Sequence, residues 1–302
     1  MDELKSNILP NLFIVGAAKS GTTSLHNYLN QHPDVFMSPQ KEPHFLINDE
    51  IGNKRIPVGI SSETEYYNLF TEGKGLKYRG ESSVMYLMFP EIVIPKINKT
   101  FGEDSKIIIM LRNPIERAYS GFQHVKRYNV RDNFLEFKLD WNISEERYHS
   151  NPDITPASRH KELGMYYKQV KSYLEGIKSV HVIIYDDYRN DFTSEMNKVF
   201  DFLEIKRIKI NNNKKYMVGG WQWKNKNIRD FMIKKSFIKS FLKLFFPFKS
   251  LKRVLRSYIQ HRHTLRIPDI SNDDKEMLKV FYKSDVEKLS ILLKRDLNYW
   301  VK

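Results

Sequence analysis

The chain has 302 residues, a formal net charge of +14 and no cysteine. A chain of this length buries roughly 75% of its extended surface without covalent staples, and the missing cysteines exclude disulfides, thiol catalysis and cysteine-ligated metals. No window approaches ~18 uncharged apolar residues, so no membrane-crossing helix is expected. The acidic start Met1-Asp2-Glu3-Leu4-Lys5 has no apolar run of signal-peptide length before Pro10, which points to a cytoplasmic protein. In that setting the glycosylation patterns Asn98-Lys99-Thr100 and Asn142-Ile143-Ser144 are chance matches.

Taken in order, residues 12–15 read as a buried strand and 22–30 as a helix stopped by His32-Pro33. Residues 35–37 form a short second strand. Residues 59–70 form a short helix, with Ser61-Ser62-Glu63 as its cap. Residues 77–83 are a strand end running into a polar turn, and 90–101 a helix. Lys106-Ile107-Ile108-Ile109-Met110-Leu111 is apolar on both faces and rich in β-branched residues, the pattern of a central parallel strand. Helices are expected over 114–128, 163–176, 193–203 and 273–293, and a further strand over 180–185. Strand and helix alternate through the first 205 residues, so the expected class is α/β, a single domain over 1–302 with a central parallel sheet flanked by helices. Between about 207 and 266 there are 17 Lys/Arg against one acid, Asp230, which leaves the rest of the chain near neutral.

Chemistry concentrates at two strand ends. In Leu12-Phe13-Ile14-Val15-Gly16-Ala17-Ala18-Lys19-Ser20-Gly21-Thr22-Thr23-Ser24-Leu25 an apolar strand enters a small-residue turn, which opens a helix with three hydroxyl residues in its first turn. Backbone N–H groups and the dipole at a helix N-terminus attract an anion, and Lys19 adds a full charge. Gly16 and Gly21 match the glycine frame of a P-loop. The lysine, however, lies two residues before Gly21 instead of directly after it, and Asp186-Asp187 is the nearest candidate for a metal-holding acid. The turn therefore reads as a phosphate cradle without metal. The second strand end is Leu111-Arg112-Asn113-Pro114-Ile115-Glu116-Arg117-Ala118-Tyr119-Ser120. Arg112 leaves the carboxyl end of the central strand, and Ser120 lies two turns into the next helix. Together they can hold a second phosphate, or Arg112 caps a loop and Ser120 packs.

These paired motifs resemble the sulfotransferases that use 3′-phosphoadenylyl sulfate (PAPS), in the bacterial and carbohydrate branch that includes the heparan glucosaminyl enzymes. Lys41-Glu42-Pro43-His44-Phe45, Gly80-Glu81-Ser82-Ser83, Leu163-Gly164-Met165-Tyr166, Ile184-Tyr185 and Tyr282 … Leu289 … Leu297-x-x-Trp300 are similar to the same family, over nearly the whole chain. The resemblance implies a 5′-phosphosulfate loop over Lys19, Ser20, Gly21, Thr22, Thr23 and Ser24, and a 3′-phosphate site at Arg112 and Ser120. It implies Lys19 as the stabiliser of the leaving phosphate and Glu42 as the base, with His44 as rival or helper, and PAP as the nucleotide product. Tyr185, Trp221 or Trp223 would wall the adenine. Gly219-Gly220, with Lys224 or Lys226, would stand where relatives close a basic loop over the nucleotide. Two departures stand out: Ile47 occupies a position that is acidic in part of the family, with Asp49 two residues later, and the glycine–arginine form of the basic loop is absent.

Residues 228–258 alternate Lys/Arg with Phe, Leu, Ile and Val at helical spacing, broken at Pro247. They read as helices covering the sheet, as a surface for anionic lipid, or as an attractor of polyanions. The implied acceptor is a glycan, a glycolipid or a small hydroxylated metabolite, and no nucleic-acid motif appears. His261-Arg262-His263 is too isolated for a metal site. Two alternatives stay open: a P-loop kinase or NTPase, which would need Mg²⁺, and a non-catalytic basic membrane-binding module.

Overall fold

The computed structural model describes residues 8–128, 136–214, 216, 219–233 and 262–302. Most of the expected basic amphipathic stretch, from 234 onward, lies outside the described residues, as does His261 of the histidine triplet. Five parallel strands, β1 (Leu12–Gly16), β2 (Val35–Met37), β3 (Tyr78–Ser82), β4 (Lys106–Leu111) and β5 (Ser179–Ile184), form one sheet in the order β2-β3-β1-β4-β5. Pleating divides its core. Phe13 and Val15 of β1, with Ile107, Ile109 and Leu111 of β4, face one apolar cluster, while Leu12, Ile14, Ile108 and Met110 face the other. Both sides are dry, which is why the β4 segment is apolar without alternation.

Helix α1 (Thr22–Leu29) covers the second face. On the first face pack α4 (Pro90–Lys96), α5 (Pro114–Tyr128), α7 (Tyr166–Gly176) and the long α11 (Asn272–Leu293), through Val93, Phe122, Val170 and Leu289. The expected helix over 59–70 narrows to α3 (Glu63–Asn68), capped by Ser62, whose hydroxyl accepts from the Glu65 amide. Three helices were not expected from the sequence: α2 (Phe45–Ile51), α6 (Phe137–Ser150) and α8 (Tyr185–Asn190). Tyr185 consequently opens a helix rather than ending a strand, and α9 (Phe192–Phe202) follows it. A small antiparallel pair, β6 (Trp221–Trp223) and β7 (Thr264–Arg266), flanks α10 (Lys226–Ile233) in sequence.

The chain leaves β1 toward β2 and β3, but leaves β4 toward β5, so the crevice at the carboxyl ends of β1 and β4 is the topological switch point of the sheet. Open parallel sheets bind ligands at that place. Among the described residues no helix is long and apolar enough to cross a membrane.

Candidate active site

The turn after β1 places Lys19 and Gly21 in left-handed backbone, at φ 70° and 94°. Gly21 is the N-cap of α1 and no side chain caps that helix, so its first amides have no partner within the helix. A side chain at Gly21 is also sterically barred, since a Cβ there would lie 2.9 Å from the Tyr185 ring. Glycine thus serves both the positive φ and the close approach of Tyr185.

Arg112 reaches the same turn from β4. Its guanidinium donates to the Lys19 carbonyl at 3.3 Å, pairs with Glu116 one turn on at 2.7 Å, and lies 5.3 Å from the centre of the Tyr185 ring. The Tyr166 hydroxyl holds the Arg112 carbonyl at 3.0 Å. Ser120 sits partly exposed on α5. Lys19, Gly21, Tyr185 and Arg112 therefore meet in one crevice, as their chemistry anticipates, and Ser120 lies on the helix that Arg112 precedes.

The environment of Lys19 is strongly cationic. Burial first, then the charges of Arg127, Arg112 and Lys41, lower its pKa to about 8 against an opposing pull from Glu42. Its amine lies 3.4 Å from His124 Nδ1. Burial, Lys19 and Arg127 push His124 down to about 3, so the ring is neutral and free to accept from the ammonium.

Opposite stands Glu42, itself in left-handed backbone at φ 63°. Its carboxylate pairs with Lys41, accepts from the Val84 amide at 2.9 Å and lies 3.3 Å from His44 Nε2. Burial alone would raise its pKa; Lys41, His44 and the Val84 amide outweigh that and hold it below the usual carboxylate value. The side chain is 26% exposed, open enough to meet a second substrate. His44 is buried and its pKa is lowered, chiefly by desolvation.

This segment is built on the end of β3. The Glu42 amide donates to the Ser82 carbonyl at 2.9 Å, and the His44 amide to Ser83 Oγ at 3.0 Å. Ser83 in turn donates to Glu81 at 2.7 Å. Glu81 is fully buried and also receives the Tyr66 and Tyr86 hydroxyls, each at 2.8 Å. Tyr86 closes the network by accepting the Leu46 amide at 3.1 Å. Desolvation dominates Glu81 and pushes its carboxyl up to about 7 despite these donors.

The structure gives the residues expected over 219–226 different surroundings. Gly220, at φ 85°, and Trp221 stand at the start of β6, and Trp221 packs beside Arg127 and Tyr128 near the end of α5. The Lys224 ammonium donates to the Arg262 carbonyl at 3.0 Å and so braces the β6–β7 pair, and Lys226 is exposed at the start of α10. Asp186 receives the Tyr299 hydroxyl and the Trp300 indole, and Asp187 pairs with Arg295. Both acids tie down the C-terminus, which leaves the expectation of a kinase-type metal ligand without support. His124, Arg127 and Glu81 were missed as site residues. The first two were within reach, because Ser120, His124 and Arg127 fall at i, i+4 and i+7 on a helix that the sequence delimits correctly.

Residues 9–218 match the family described as "Sulfotransferase domain". Among curated proteins the chain is similar to carbohydrate sulfotransferase 15 of Mus musculus, 25% identical over 247 residues and covering 65% of this chain and 44% of that protein. It is 28% identical over 165 residues to the membrane-associated sulfotransferase kil1 of Dictyostelium discoideum, covering 54% of this chain and 33% of that one. Thus it spans a third to under half the length of these two relatives. Among solved structures it superposes on a sulfotransferase from Alicyclobacillus acidocaldarius with a TM-score of 0.73, at 28% identity, covering 97% of this chain and 99% of that one.

Proposed function

Because the chain belongs to the sulfotransferase domain family, whose chemistry is sulfuryl transfer, we propose that it moves a sulfuryl group from PAPS to a hydroxyl or amine of a carbohydrate or glycolipid acceptor, with PAP as product. The crevice fits such a donor. An uncapped helix N-terminus with Lys19 suits the 5′-phosphosulfate. Arg112, at the neighbouring strand end, and Ser120 on α5 suit the 3′-phosphate. Tyr185 beside Gly21 offers an aromatic wall. Trp221, at the far end of α5, is a weaker candidate for that wall than Tyr185, and Lys224 is committed to a backbone carbonyl. The glycan character of the acceptor rests on the carbohydrate sulfotransferases among the relatives.

The observation that carries the reading is that Lys19 and Glu42 share one crevice, with the Glu42 charge acting on the Lys19 ammonium against the cations around it. Lys19 neutralises the charge that develops on the leaving phosphate as the sulfur–oxygen bond breaks. Removing one preorganised donor of this kind typically costs about 3 kcal/mol of transition-state stabilisation. Glu42, ionised at neutral pH, takes the acceptor's proton as the new sulfur–oxygen or sulfur–nitrogen bond forms, a role worth roughly 10²–10⁴-fold. His44, with Nε2 protonated, donates to Glu42 and fixes the carboxylate for that step. His124 holds the Lys19 ammonium by accepting from it.

The test is Glu42→Gln, assayed with ³⁵S-labelled donor against a panel of glycans. Transfer is expected to fall at least about 10²-fold, with the calorimetric heat of PAP binding retained. Full turnover by the variant removes Glu42 as the base.

A further inference from the structure

Helix α5 works as a ruler along the crevice. Arg112 precedes its first turn, and Ser120, His124 and Arg127 follow along one stripe. At 1.5 Å per residue they lie about 6 Å and then about 4.5 Å apart along the axis. His124 marks the position of the Lys19 amine. Ser120 lies toward Arg112, on the side proposed for the 3′-phosphate, so Arg127 lies on the other side of Lys19.

Arg127 is an unusual cation. Its residue is 6% exposed, and its guanidinium carbon sits 4.2 Å from the centre of the Trp221 ring. Among the described residues its Nε has no hydrogen-bond partner and no carboxylate pairs with it. Arg112, by contrast, pairs with Glu116 at 2.7 Å. Of the charges around Lys19, Arg127 acts on it most strongly, so it borders the reacting centre. A guanidinium this buried is costly unless an anion completes it. With the Trp221 indole against it and Tyr128 as a hydrogen-bonding neighbour, the guanidinium still has its unpartnered Nε–H to offer a carboxylate.

We propose that Arg127, stacked on Trp221, is an acceptor-side subsite for a carboxylate, and that the preferred acceptor is therefore an acidic sugar. The inference rests on the sulfuryl-transfer reading for which side of Lys19 belongs to the acceptor.

The probes are an unsulfated, uronic-acid-containing tetrasaccharide and its carboxyl-reduced twin, titrated calorimetrically into the PAP-saturated protein. The wild type is expected to bind the acidic sugar at least about 30-fold more tightly, as befits loss of one partner of a buried charge pair. Arg127→Met, which keeps the stacked stem, is expected to erase that preference while still binding PAP. Arg127→Lys is expected to restore part of it, since it returns the charge without the fork. Three results overturn the proposal: equal affinity of the wild type for the two sugars, preference surviving in Arg127→Met, or loss of PAP binding in that variant, which would place Arg127 in the donor site. Absence of PAP heat in the wild type fails the donor reading instead, and the sugar pair measured without PAP still reads Arg127.

Discussion

A lysine that titrates near pH 8 beside a polyanion site must take up a proton when that site fills. The Lys19 ammonium is disfavoured in the free protein by burial and by Arg127, Arg112 and Lys41. The phosphates of PAP reverse the sign of the local field and return the pKa toward or above its ordinary value. With a free pKa of about 8, binding should take up about 0.1 proton at pH 7, about 0.5 at pH 8 and about 0.9 at pH 9. The sign follows directly: the complex holds more protons than the free protein, so affinity falls as pH rises through 8. The loss between pH 7 and 9 is about tenfold, or about 1.4 kcal/mol. Phosphate monoesters with a second pKa near 6 are already ionised above pH 7.5 and contribute little. Calorimetry of PAP binding in buffers of different ionisation enthalpy reads the uptake as a slope. In Lys19→Met the slope and the pH dependence should both vanish. No uptake by the wild type at pH 8 would mean that Lys19 does not change protonation on binding, and uptake persisting in Lys19→Met would send the proton to another group.

Arg112→Ala should weaken PAP by about 2–3 kcal/mol, roughly 30- to 150-fold, because it removes a charged donor to phosphate; titration calorimetry checks this. Glu81 has a folded pKa of about 7, above the ordinary 4.5, so the folded state holds its proton longer than the unfolded one. Stability should therefore decline from about pH 4.5 to 7 and level off above. Glu81→Gln should flatten that slope in melting curves and lower kcat about tenfold as the grip on the 42–46 segment loosens, the positioning of a general base being worth up to about 10²–10⁴. Gly21→Ala forces a Cβ to 2.9 Å from Tyr185 at φ 94°. It should cost roughly 1–2 kcal/mol of stability from the backbone alone, with weaker PAP binding, read by thermal melting and calorimetry.

The donor side of the crevice was readable because its chemistry is local. A strand, a glycine turn and a helix start are contiguous, and Arg112 follows the most apolar strand of the chain. The ends of β4 and α5 came out as expected for the same reason, since period and punctuation agree. The acceptor side was only half visible. Glu42 and His44 could be named from the resemblance, but what holds them is a partnership across about forty residues, through Ser83 and Glu81. Nothing in the spacing of Glu81 announces three hydroxyl donors. Helix α6 escaped notice because its polar and apolar residues have little amphipathic order, and α2 because it starts at a histidine in left-handed backbone instead of at a usual cap. The role of the 219–226 region is not legible from its residues, because glycines and lysines suit both a phosphate loop and the antiparallel β6–β7 pair.

The proposed base and the proposed donor loop are anchored on adjacent strands: Lys19 follows β1, and the Glu42 amide bonds to Ser82, which is in register with Ile14 of β1. In the sulfuryl-transfer reading, the backbone anchors of the two reacting groups are therefore gauged by one interstrand spacing, about 4.8 Å, among the stiffest dimensions a protein offers. If Arg127 reads the acceptor as proposed, acceptor preference can drift at the remote end of α5, around Arg127 and the β6–β7 ribbon, without disturbing that gauge. Chemistry is inherited through the sheet, and selectivity is free to vary at its margin.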